Sequence, residues 1–189
     1  MPATLTKAML NDLHKGCASI KLLSEIASSA GLTADFSAAD EIFTLAGTFK
    51  INQADHTLTP IKIDQLEQQI DADTEKGDMT IAGDVPSTAE ALLDYFFDHN
   101  AAAAHTAITV TSGDGTFSGK GYKTTVKKTM CAVLVTSESK QTAILFPRVQ
   151  FLASYHNDDM NMPQIVRLTG SVLSPTFDGA EDFYPLKKD

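Results

Sequence analysis

The chain has 189 residues, enough for one domain with its own core, and 43% of them are hydrophobic. Its 24 acidic and 15 basic side chains leave a net charge of −9. That balance excludes a general nucleic-acid binder, which needs a basic face to displace counterions from phosphate, and it suits an anionic membrane surface no better.

An acidic surface keeps a chain soluble and repels DNA that must pass without sticking. The first 16 residues, MPATLTKAMLNDLHKG, lack the apolar centre of a signal peptide. No apolar run approaches the roughly 20 residues that span a bilayer. The expectation is a soluble protein made in the cytoplasm. Cys17 and Cys131 lie far apart, among small or apolar neighbours. Two reduced thiols are expected, although spacing alone leaves a disulfide open.

In chain order, residues 18–23 predict a short strand, and 24–39, small and polar around Gly31, fit a helix or a loop equally. Across 41–51, Ile42, Phe43, Leu45, Phe49 and Ile51 interleave with Thr44, Gly47, Thr48 and Lys50, which predicts one strand. A turn cluster at 52–56 follows. Residues 58–63 alternate again, and Pro60, which cannot donate to a ladder, makes that run an edge or an extended arm. These two runs read as a long hairpin reaching away from the core. Residues 65–76, polar apart from Leu66 and Ile70, read as a solvated loop closing at Gly77. A short strand at 78–82 ends at Gly83-Asp84.

The clearest helix spans 86–99. Ser87 and Glu90 form a capping box, and Leu92, Leu93, Phe96 and Phe97 give a stripe that packs on a sheet. After His105 the pattern is period 2, with strands at 106–111, 116–128, 129–136, 141–155 and 164–173. Turns fall at 112–115, of the kind Asp-Gly favours, and at 137–140. A charged tail follows Pro175. The predicted fold is mainly β (α+β): a small antiparallel barrel or sandwich with one packed helix and a long hairpin arm. One domain covers 1–189, with 1–40 as an N-terminal extension and 41–76 as arm and loop.

Each motif that invites chemistry fails on spacing. Asp71, Asp73 and Glu75 before Gly77 approach a calcium loop, but the pattern needs its Gly one residue earlier and a Glu where Ala82 stands. Gly113, Gly115, Gly119 and Gly121 with Lys120 invite a phosphate loop, yet Asp114 holds the first glycine position and Gly121 replaces the magnesium-binding hydroxyl. His14, His56, His99, His105 and His156 are scattered, and only His99 and His105 come near metal spacing. No G-x-S-x-G elbow occurs. No catalytic residue, metal or cofactor is therefore expected. The arm is long for a compact domain, and a strand pair with an open edge is a natural donor for pairing between subunits.

The segment E-K-G-D-M-T-I-A-G-D-V-P at 75–86 precedes the helix, and the meander closes on L-T-G-S-V-L-S-P at 168–175. With its K-G-D-x-x-I-x-G turn and R-L-T-G-S-V-L strand, this layout resembles the tail tube (major tail) proteins of long-tailed phages and the inner-tube proteins of contractile injection machines. The resemblance implies hexameric rings stacked into a hollow tube through long loops and a hairpin arm. It implies a virion-tail location, other tail proteins as partners, no catalysis, and a polar or acidic lumen that passes DNA without binding it specifically. It places Asn52, Gln53, Asp55, His56 and Leu58 of the hairpin at ring or inter-ring contacts, with Asp71, Asp73, Glu75 and Lys76 of the loop. The first 40 residues have no counterpart in the pattern. Two alternatives stand beside it: another ring-forming virion component (a tail terminator or head–tail connector), and a ligand-binding β-barrel, for which inward aromatics are sparse.

Overall fold

A computed structural model describes residues 16–33, 35–63, 68–75, 77–86, 90–99, 108–157 and 164–188; over 58–63 and 68–75 it describes the backbone. The described strands are β1 (Ser19–Ser24), β2 (Asp40–Ile42), β3 (Lys50–Gln53), β4 (Thr57–Ile63), β5 (Gln68–Glu75) and β6 (Met79–Val85). After the helix α1 (Glu90–Phe96) come β7 (Ile108–Ser112), β8 (Gly115–Gly119), β9 (Thr129–Thr136), β10 (Thr142–His156), β11 (Ile165–Val172) and β12 (Tyr184–Lys187). Eight strands form one antiparallel sheet in the order β2-β1-β9-β10-β11-β6-β3, with β12 added to β10. The β4–β5 and β7–β8 pairs are separate two-stranded ribbons.

The long strand β10 divides the sheet. Its first residues pair with β9 on one side and β12 on the other, and from Val149 onward it pairs with β11. Between Phe146 and Val149 the ladder to β9 gains one residue, a β-bulge. Pro147 sits in this bulge, where its missing N–H is not needed. The two carbonyls freed there find partners elsewhere: Ile26 N–H donates to Pro147 O (3.0 Å) and Leu173 N–H to Arg148 O (3.0 Å). The bulge bends the sheet so that its two halves share one core. That core joins Ile20, Leu22, Val133, Val135 and Phe146 from one half to Ile81, Val85, Val149, Phe151, Val166 and Leu168 from the other. Phe96 of α1 plugs it, meeting Phe151 edge-on at 6.0 Å.

A smaller cluster on the opposite face of β9 and β10 gathers Ala132 and Leu145 with Ile26 and Phe36. The result is a sandwich-like, mainly β fold with one α-helix among the described residues, and it is not a closed barrel. The ends of the strand order, β2 and β3, do not pair with each other.

Several elements depart from the sequence expectation. The strand expected over 41–51 is two strands on opposite edges of the sheet, β2 against β1 and β3 against β6. Gly47, at φ +80°, and Thr48, whose N–H and Oγ1 both donate to Leu45 O, break the run between them. The hairpin arm exists, but its strands are β4 and β5, so the polar stretch expected to be a loop is itself a strand. Strand β6 runs through Gly83-Asp84 to Val85. Helix α1 is shorter than 86–99, and Ser87 of the expected cap lies outside the described residues. The charged tail after Pro175, for which no strand is predicted, contains β12. Past Ser24, the end of β1, residues 25–33 and 35–39 form irregular chain with one 3-10 turn, Ser29–Thr33.

Candidate functional site

The arm begins where β3 leaves the sheet. Asn52 and Gln53 pair with Thr80 and Met79, and the chain then passes through Ala54, Asp55 and His56 into β4. All five residues from 52 to 56 are exposed. Three contacts close the root. Ala54 N–H donates to Asp78 O at 2.9 Å, and Gly77 N–H donates to His56 Nδ1 at 3.1 Å. Gly77 also lies so close to Ala54 that a Cβ there would fall 1.8 Å from the Ala54 carbonyl oxygen. Only glycine fits this approach.

Beyond the root, Leu58 pairs with Thr74, Thr59 with Asp73, Ile61 with Asp71 and Thr57 with Glu75. The fold thus brings Leu58 and the acidic positions 71, 73 and 75 onto one ribbon, continuous with Asn52, Gln53, Asp55 and His56. Lys76 lies outside the described residues. Because Asp71, Asp73 and Glu75 occupy a strand, the solvated acidic loop expected there is corrected. Among the described residues, no group of three His, Cys, Asp or Glu is placed to hold a metal.

A second surface emerges only from the pairing. On the side of β10, β11, β6 and β3 away from the core, the register aligns Gln150 with Ser171, Leu152 with Thr169 and Ser154 with Arg167. It continues through Thr80, Ala82 and Asp84 to Asn52 and Lys50. This face is rich in hydroxyls and close to neutral. Its one described ion pair, Arg167 Nε to Asp84 Oδ1 at 3.0 Å, crosses between β11 and β6. Both edges of this half are open among the described residues, since β3 pairs only with β6 and residues 152–156 of β10 pair only with β11.

The third surface is the β7–β8 ribbon. Ile108 and Val110 share a face with Phe117 and Gly119, and each of the three apolar side chains is 57–59% exposed. The other face carries Thr109, Thr111, Thr116 and Ser118, with Thr111 and Thr116 hydroxyls 3.2 Å apart. Alternation in the sequence marks both faces but does not reveal that the apolar one is exposed. A strap after β8 fixes the ribbon to α1. Lys120 Nζ lies 3.1 Å from Glu90 Oε2, Tyr122 Oη donates to Asp94 Oδ1 at 2.9 Å, and Lys123 N–H donates to Asp98 O at 2.8 Å. Lys127 Nζ donates to Asp94 O at 2.9 Å, one of the carbonyls a short helix leaves unpaired at its C-terminal end.

Next to α1, on its other side, an open recess of about 480 Å³ is lined by Leu22, Ile42, Phe43, Leu92, Tyr95 and Phe96. Asp40 and Glu41 of the edge strand β2 line it as well, and Phe43 is 69% exposed. It opens to solvent from beside the sheet.

Among the described residues, groups able to do chemistry are few. Cys17 and Cys131 are both free. Burial pushes the Cys131 thiol up to about 12 and the Tyr95 hydroxyl up to about 12, so both stay protonated and unreactive near neutrality. Tyr122 is likewise pushed up to about 12, first by burial and then by its bond to Asp94. Ser154 Oγ and His156 Nε2 approach to 2.9 Å, but on the exposed end of β10, without the burial that activates a nucleophile.

This arrangement defines a mainly β protein whose surface features are ribbons, open edges and an apolar recess. No family model matches the chain, and no curated protein matches it in sequence.

Proposed function

We propose that this chain is a structural subunit that self-assembles into rings, and that the rings stack into a tube of the phage tail-tube kind through which DNA passes. One observation carries the proposal. Among the described residues, the half-sheet β3–β6–β11–β10 presents an uncovered, hydroxyl-rich face between the open edge of β3 and the free 152–156 end of β10. An open edge is a row of unpaired backbone donors and acceptors, and joining edges around a ring removes them, as closing a barrel does. The polar faces would then line the lumen. Their near-neutral character offers no basic groove for phosphate to condense on, which suits passage without binding.

The arm springs from β3 at the end of this half-sheet. Its residues Asn52, Gln53, Asp55, His56, Leu58, Asp71, Asp73, Glu75 and Lys76 are the candidates for contacts between rings. A closed single ring, as in a tail terminator or head–tail connector, is the alternative. Electron microscopy of the purified chain separates the two: tubes of stacked rings support the tail-tube reading, single rings the alternative, and particles of neither kind overturn both.

A further inference from the structure

The arm meets the sheet at a gap between two ladders. The β3–β6 ladder ends at the Gln53–Met79 pair, and the β4–β5 ladder begins at Thr57–Glu75. No ladder pair joins residues 54–56 to Gly77 and Asp78. Among the described residues, two hydrogen bonds span the gap: Ala54 N–H to Asp78 O at 2.9 Å, and Gly77 N–H to His56 Nδ1 at 3.1 Å. The first joins backbone groups and does not answer to pH. The second ends on an imidazole. We propose that His56 is a pH-sensitive latch on the arm: the neutral ring holds the root closed, and protonation releases it.

The direction of the bond decides the chemistry. A backbone N–H can only donate, so Nδ1 must accept, and the proton of the neutral ring sits on Nε2. An imidazolium carries hydrogen on both nitrogens and has no acceptor left. Protonation would set two donors facing each other where one bond now stands, and the ring, on an exposed residue, can turn away into water. Gly77 is buried, so its N–H would lose its partner in a place where an unmade bond is costly. The two segments cannot draw together to compensate, because a Cβ on Gly77 would already lie 1.8 Å from Ala54 O.

An imidazole ordinarily changes charge between about pH 5 and 8, the window in which ordinary carboxylates stay ionised. The charged groups around the ring are carboxylates: Asp55 beside it in the chain, Asp78 on the segment packed against it, and Glu75 where β5 ends. Asp55 and Asp78 are both exposed. The bond holds the neutral ring, so the latch is closed above the window and lost as pH falls through it. The hinge it frees is local: the ladders on either side are built from backbone groups and persist. In the proposed assembly this would place contacts between rings under the control of pH. That consequence rests on the self-assembly reading; the latch itself does not.

Hydrogen exchange of the full chain at pH 8 and pH 5, read by mass spectrometry and corrected for the intrinsic rate, tests the latch. Protection of the Gly77 amide should fall at least tenfold at pH 5, while the β9–β10 ladder keeps its protection. Two variants remove the titration. His56→Asn offers an amide oxygen that accepts at both pH values, and His56→Phe offers no acceptor at either, so in both the pH dependence at Gly77 should vanish. Equal protection in the parent at the two pH values, a fall shared by the β9–β10 ladder, or a fall that survives in either variant overturns the latch. Particle mass measured on the same samples keeps the two readings apart. A monomeric parent with a pH-dependent root removes self-assembly and leaves the latch; an assembled parent with an indifferent root removes the latch alone.

Discussion

Phe96 is 2% exposed at the end of α1, where it touches the edge of Tyr95 at 4.9 Å and of Phe151 at 6.0 Å. It is the helix's one fully buried side chain and binds α1 to the sheet. Phe96→Ala is expected to destabilise the protein by about 3–5 kcal/mol, lowering Tm by roughly 10 °C in thermal unfolding; a change below 2 °C would mean that α1 does not depend on this contact. Titration offers a second check at this scale. Tyr95 and Cys131 both have folded values raised to about 12, from ordinary values of 10.0 and 9.0, chiefly by burial. Folding favours their neutral forms, so the stability they contribute is intact below pH 9 and lost as pH climbs towards 12. Urea midpoints should therefore hold steady up to pH 9 and fall across that window. At pH 8 a thiol reagent should reach the half-buried Cys17 and leave Cys131 untouched until the chain unfolds.

At the scale of elements, local pattern foretold what neighbouring residues decide and missed what distant pairing decides. Strand β9 was legible over its whole length, because Cys131, Val133 and Val135 face one cluster while Ala132 and Leu134 face the other. In β10, strict alternation from Phe146 would turn Arg148 inward and Val149 outward; the bulge at Pro147 returns Val149 and Phe151 to the core. Strand β5 was hidden because its ladder with β4 is made by backbone groups, and its sequence QQIDADTE carries no apolar alternation. The break between β2 and β3 was equally hidden, since their partners β1 and β6 lie at opposite ends of the sheet. Strand β12 includes Pro185, which argues against an interior strand and is tolerated here on an added edge. Of the candidate assembly residues, the sequence marked the arm, while the exposed face of Ile108, Val110 and Phe117 became visible only with the three-dimensional packing. The arm's root gives this scale its own test. Gly77→Ala drives a Cβ into the Ala54 carbonyl, a clash with backbone that no side-chain rotation relieves. Amide exchange at Ala54 and Gly77 should accelerate while the β9–β10 ladder keeps its protection. Unchanged exchange at the root would show that the contact does not hold the arm.

For the whole molecule, the features that remain unsatisfied among the described residues are of the kind other copies can satisfy. The half-sheet ends in open edges, the β7–β8 ribbon exposes an apolar face, and the recess beside α1 lies open. In the proposed assembly, a net charge of −9 would keep separate copies in solution, and repulsion between like-charged copies would disfavour contacts that do not fit. Ion pairs such as Lys120–Glu90 and Lys123–Asp98 are partly or fully solvent-exposed and add little stability, so the proposed assembly would depend on the geometry of edges and apolar surfaces. The mass of the native particle, measured by sedimentation across a concentration series, tests this most directly. A species of about six copies of the 20.3 kDa chain, giving way to larger stacked multiples, is the predicted result. A single 20.3 kDa species at every concentration contradicts self-assembly.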